Sequence, residues 1–157
     1  MIVVEKFLNT LFADLPLIDG FTTIYKWGNK QHLLKQLELY SKEAKTIYPL
    51  IYQTSNSSVQ GKGECETKLS FVLACQNLNV DLTNEQRWAM SYENVLYPLV
   101  ENIENIFRSS GSVTWNNSYT ITEFPNYGNG EENFTIDKWD AILLETTIKI
   151  TNVQTCN

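Results

Sequence analysis

Glu64-Cys65-Glu66-Thr67-Lys68-Leu69-Ser70-Phe71-Val72-Leu73-Ala74-Cys75-Gln76 alternates in period two, with Leu69, Phe71, Leu73 and Cys75 on one side and Glu66, Lys68 and Ser70 on the other. Successive side chains of a strand point to opposite faces, so the stretch predicts a long, half-buried strand. Its far end adds Val72 and Ala74 to the second face. A second such segment closes the chain: from Trp139 to Val153, Ile142, Leu144, Thr146, Ile148 and Ile150 alternate with Glu145, Thr147, Lys149 and Thr151. Two long amphipathic strands call for an antiparallel or mixed sheet, one face on helices and the other open to solvent or a neighbour.

The helices that would cover it are also legible. Ile2 to Leu15 places Val4, Phe7, Leu8, Leu11 and Leu15 at helical spacing, and Pro16 ends it. Phe21 to Trp27, β-branched and aromatic between Asp19-Gly20 and Gly28-Asn29, predicts a strand. Asn29 is a fitting cap for a second helix from Lys30 to about Lys45, with Leu33, Leu34, Leu37, Tyr40 and Ala44 as its apolar stripe. Ile47 to Tyr52 has strand chemistry, with Pro49 suited to a strand's beginning or an edge. Residues 54–63 predict a flexible connection.

Thr83-Asn84-Glu85-Gln86 is a capping box opening the longest helix, whose stripe is Trp88, Tyr92, Val95, Leu96, Leu99, Ile103, Ile106 and Phe107. Pro98 either kinks it or begins a second helix. Val113-Thr114-Trp115 and Tyr119 to Thr122 predict short strands around Asn116-Asn117, before an extended loop at 125–130. The expected fold is α+β: a single domain over residues 1–157, its mixed or antiparallel sheet packed on one face by two or three helices, with a long protruding hairpin and loop region at 112–135.

Composition bounds the function. With 43% hydrophobic and 19% charged residues the chain lies far from the disordered class. No apolar run approaches the roughly 20 residues that cross a bilayer, and Glu5 and Lys6 interrupt any signal-like start, so a soluble protein made in the cytoplasm, without membrane partners, is expected. Net charge is −6, and uneven: residues 1–78 hold eight basic and seven acidic side chains, residues 79–157 four and eleven. That balance argues against tight nucleic-acid binding. Cys65, Cys75 and Cys156 form no CxxC pair, and two of them ten positions apart on one strand cannot bridge, so free, mostly buried thiols are expected.

Groups for catalysis are sparse. The lone His32 reads as a surface helix residue, and one histidine with no paired thiols makes a tight zinc site unsuited. No phosphate loop, nucleophile elbow or HExxH occurs. Glu131, Glu132, Asp137 and Asp140 lack the order of a calcium loop and read as a solvated loop face. No cofactor, metal or catalytic residue is assigned, and no enzymatic activity is expected. Trp115, beside a hairpin tip, is a candidate partner anchor. A different class stays open: a small-molecule-binding or catalytic domain with a pocket lined by Tyr25, Trp88, Tyr92 and Trp139.

Tyr25-Lys26-Trp27-Gly28-Asn29 leading into a helix, Tyr48-Pro49-Leu50-Ile51-Tyr52 after it, and Asp137-Lys138-Trp139-Asp140-Ala141-Ile142 entering the last strand, with the long helix between, resemble the small tail-terminator or tail-completion (neck) proteins of long-tailed bacteriophages. The resemblance is one of arrangement over nearly the whole chain. It implies a structural virion protein, assembled in the host bacterial cytoplasm and located in the tail or neck. Such a protein forms a homo-oligomeric ring, often a hexamer, that caps the tail tube and docks it to the head connector. DNA would pass through the ring without specific binding, and an acidic lining would repel its phosphates. Trp115, Glu123, Tyr127, Glu131 and Glu132 are the candidates for interface or channel-facing positions. A head-completion or connector subunit is the alternative neck role.

Overall fold

The computed structural model describes residues 2–43, 45–55, 63–76, 83–127 and 139–151. The chain runs α1 (Val4–Phe12), β1 (Ile24–Trp27), α2 (Lys30–Lys42), β2 (Leu50–Gln53), β3 (Glu64–Gln76) and α3 (Asn84–Arg87), then a π-helical segment (Trp88–Leu96), α4 (Tyr97–Ser109), β4 (Val113–Thr114), β5 (Tyr119–Tyr127) and β6 (Trp139–Thr151). The two long alternating stretches are the centre of the sheet. β3 and β6 pair antiparallel over their whole lengths, from Glu64 opposite Thr151 to Gln76 opposite Trp139. The strand order is β1-β2-β3-β6, with β4 and β5 sharing the outer side of β6. Among the described residues only β1 and β2 pair in parallel, as the crossover through α2 allows, so the sheet is mixed.

Local chemistry sets the β1–α2 turn. Gly28 has φ +133°, and a Cβ there would come within 2.7 Å of His32 Nδ1. Only glycine suits both demands. The Asn29 side chain then accepts the His32 backbone N–H at 3.0 Å, capping α2 as expected. Pro49 lies just before β2, where its missing N–H costs nothing, and its carbonyl accepts the Ile24 N–H at 2.9 Å.

The sheet's two faces are covered unequally. Val4, Leu8 and Phe12 of α1 and Leu99, Ile103 and Phe107 of α4 pack on one face against Leu69, Phe71, Leu73, Ile142, Leu144 and Ile148. Phe12 knits these layers, its ring 5.2 Å from Tyr25, 5.8 Å from Phe71 and 5.9 Å from Phe107. On the other face Leu33 and Leu37 of α2 cover Leu50, Tyr52, Val72, Ala74, Trp139 and Ala141. This second cluster explains the apolar Val72 and Ala74 at one end of an otherwise polar face. Beyond α2, Glu64, Glu66 and Lys68 are exposed, and Lys149 pairs with Glu64 at 2.8 Å.

Several elements differ from their sequence expectation. The strand expected from Phe21 is confined to Ile24–Trp27, because Phe21 and Ile18 exchange backbone hydrogen bonds in a tight turn. α2 ends at Lys42, and Ala44 lies outside the described residues. The short strands around Asn116-Asn117 do not pair with each other. Both pair with β6, and β5 continues to Tyr127, so that the projecting region is, up to Tyr127, one arm of a β5–β6 hairpin. Residues 128–138 lie outside the described residues, as do 56–62 of the expected flexible connection.

Burial sets the fold's alkaline limit. It pushes the Cys75 thiol from its usual 9.0 up to about 12 and the Tyr52 phenol from 10.0 to about 12. The Tyr25 and Tyr92 phenols are raised further, again chiefly by desolvation. Below pH ~8, a unit under the ordinary thiol value, the folded and unfolded chains hold these protons equally. Above it the unfolded chain releases them first, so stability is lost as pH rises toward about 12. Urea midpoints measured across this range should fall by an amount equivalent to several kcal/mol, whereas a flat profile would contradict the burial of these groups.

Candidate functional site

β5 is the sheet's open margin. Residues 119–123 are all exposed, and among the described residues no strand pairs with their outer edge. A register shift between Phe124 and Tyr127 ends the regular ladder beyond them. Thr120 and Thr122 share the face that α2 covers elsewhere, while Tyr119, Ile121 and Glu123 flank α4. An unpaired row of backbone groups beside exposed Ile121 is a template for another strand.

The flank of this edge is aromatic and acidic. The Tyr97 hydroxyl donates to Glu123 Oε1, and the Trp88 ring stacks on Tyr92 at 5.2 Å and meets Tyr97 edge-on at 5.4 Å. Desolvation, then the Glu123 hydrogen bond and charge, then Glu93, raise the Tyr97 phenol above its usual range. A hydrogen bond to Glu104 raises Tyr119, with a further contribution from Glu101, against which Arg108 acts. Four carboxylates thus surround two tyrosines with one opposing cation.

The winding of Trp88–Leu96 creates this cluster. Residues nine apart lie two and a half turns apart in an α-helix, on opposite sides. In a π-helix, with its i→i+5 bonds, nine residues make about two turns, which brings Trp88 and Tyr97 to one side. Hence Trp88, expected on the buried stripe, is 40% exposed instead. Pro98 is the second residue of α4, which follows the π-helical segment with helical backbone at Leu96, so it does not open a separate helix.

A buried polar knot anchors the segment to the sheet. The Arg87 guanidinium donates to Asp140 Oδ1 at 2.7 Å and the Ser91 hydroxyl to Oδ2 at 2.5 Å, and the Arg87 and Asp140 side chains are almost entirely buried. Asp140 is therefore not part of a solvated acidic loop. It lies opposite Cys75 inside the sheet, where Arg87 and Ser91 satisfy both its oxygens. The capping box at Thr83 and Gln86 positions Arg87 for this contact.

The expected site residues are placed as follows. Trp115 is half-buried rather than a free anchor: its indole N–H donates to Thr146 Oγ1 at 2.8 Å, its ring lies 5.8 Å from Phe107, and the Arg108 guanidinium sits 5.5 Å over it. Glu123 is exposed on the β5 edge. Tyr127 ends β5 opposite Trp139, and Glu131 and Glu132 lie outside the described residues. Tyr25, Trp88, Tyr92 and Trp139 do not line a common pocket, because Tyr25 and Tyr92 lie in the core on one face, Trp139 in the cluster on the other, and Trp88 at the surface.

Cys65 and Cys75 are buried, as expected, and His32 is exposed. Among the described residues no group of three or more His, Cys, Asp and Glu could hold a metal ion, and no helix is long and apolar enough to cross a membrane. No family model, curated protein or solved structure matches the chain.

Two substitutions check this geometry. Asp140→Asn leaves the Arg87 charge buried without its counterion and should cost about 3–5 kcal/mol in urea unfolding, while the double change Arg87→Met with Asp140→Leu should cost much less. Glu123→Gln should lower the Tyr97 phenol pKa in an ultraviolet titration, assigned by comparison with Tyr97→Phe. An unchanged value would show that the carboxylate does not act on Tyr97.

Proposed function

We propose that this chain is a structural subunit that joins to copies of itself, with the open β5 edge as the joining surface. The observation that carries this reading is the run of five exposed residues, 119–123, along an unpaired edge. Strand addition supplies main-chain hydrogen bonds, and side chains such as Ile121 then select the partner. No chemistry on the chain is called upon, and the reading is a non-enzymatic one. The resemblance to phage tail-terminator and tail-completion proteins gives it a specific form: a ring at the head–tail junction of a virion, seated between tail tube and head connector, with DNA passing through.

Light scattering on the purified chain over a wide concentration range, followed by negative-stain imaging, tests the reading. Rings or a stable oligomer support it. Ile121→Lys, which places a charge on the edge, should leave the urea midpoint within ~0.5 kcal/mol of the parent while reducing association. A chain that stays monomeric at every concentration would overturn self-assembly. Images of particles labelled with an antibody to this chain would separate a ring on the tail from a connector subunit on the head.

A further inference from the structure

Resting on the self-assembly reading, we propose that the surface that receives the β5 edge is the β1 edge of the next copy, so that subunits join head to tail and one sheet runs on into the next. β1 is the other end of the strand order, and no described strand pairs with its outer side. Following the pairings across the sheet, β1 and β2 run one way, β3 the other, β6 back again, and β5 opposite to β6. β5 therefore runs antiparallel to β1 within a subunit. A second copy that continues the sheet in the same orientation meets it as an antiparallel pair, the more stable kind of ladder.

Heights and faces match as well. Trp27, Gln53, Phe71, Leu144 and Ile121 form one row across the sheet, and Lys26, Tyr52, Val72, Leu143 and Thr122 form the next. Continuation without offset sets Trp27 of one copy opposite Ile121 of the other, on the same face. These side chains are 43% and 39% exposed in the single chain, and pairing would cover both. Lys26, Trp27, His32, Lys35 and Gln36 line a cleft of about 280 Å³ between α2 and this edge. Thr122, in the row of Lys26, would lie beside that cleft.

Charge favours this pairing over its rival. Residues 20–37 carry Lys26, Lys30, Lys35 and His32 and no acidic residue. The β5 flank carries Glu93, Glu101, Glu104 and Glu123 against Arg108. A two-fold β5-to-β5 contact would oppose acidic flank to acidic flank, whereas on β1 that flank, on the α4 side of the sheet, meets the edge at Trp27, with Lys26 and Lys35 of the other copy close by on the α2 side. A heterologous contact of this kind closes into a ring when the rotation per subunit allows it.

Mixing proteins that each carry one introduced cysteine, with the buried Cys65 and Cys75 left in place, tests the pairing. Cys156→Ser is made throughout; Lys26→Cys is one partner, and Thr122→Cys, or Thr120→Cys for a two-residue offset, is the other. Directly opposed residues of antiparallel neighbours lie about 4.5–5.5 Å apart at Cα, within disulfide reach. Mild oxidation should link the Lys26→Cys chain to a β5 partner in the mixture, and a chain carrying both cysteines should give a ladder of covalent oligomers. Lys26→Glu with Lys35→Glu should weaken association about tenfold at low salt, with a smaller effect at high salt. A Thr122→Cys or Thr120→Cys chain that links to itself would overturn the pairing in favour of a two-fold contact. Oligomers by light scattering with no β1–β5 link would overturn the pairing and leave self-assembly standing, while a monomer at every concentration would overturn both.

Discussion

The antiparallel register of β3 and β6 is the constraint on which the other contacts depend. It lines up Leu69, Phe71, Leu73 with Thr146, Leu144, Ile142 on the face that α1 and α4 cover. It also sets Asp140 opposite Cys75, where Arg87 and Ser91 reach it. A slip of one residue would carry every side chain of one strand to the wrong face. The apolar row would then face water and the carboxylate would lose its guanidinium. Register, core and polar knot are thus mutually dependent, the consistency that gives a sequence one native state.

Elements whose patterns are local in the chain were legible from the sequence. Period-two alternation located β3 and β6, Asn29 located the start of α2, and the Thr83–Gln86 capping box located α3, because each signal involves residues within a turn or a strand of one another. Readings failed where a distant partner decides. Asp140 looks like one more acid in an acidic stretch until Arg87, 53 positions away, is folded against it. Trp88 fits a 3.6-residue stripe, and only the wider winding of the segment turns it outward. The strands near Asn116-Asn117 looked like a hairpin of their own, yet β6 offers a longer and more apolar partner to both.

The uneven charge of the two halves of the chain acquires a spatial meaning in the fold. Sequence order and strand order diverge, but β1 with α2 comes from the less acidic half and β5 with α4 from the more acidic one. The sheet accordingly has a basic and an acidic margin. Its middle is occupied by β3 and β6, which bury their partners on one face fully and on the other only beneath α2. The rest of that second face, with Glu64, Glu66, Lys68 and Lys149, is polar enough to remain in water.

The π-helical turn bears on how this chain can vary. A π segment holds an additional residue relative to α winding, and losing one residue lets the segment rewind as an ordinary helix. Between Trp88 and Tyr97 such a loss would rotate everything before it against everything after it, so that Arg87 and Tyr97 could not both keep their present neighbours. Substitutions here can be absorbed one side chain at a time. Changes of length cannot, and the spacing from Arg87 to Tyr97 should be the least elastic interval of the molecule.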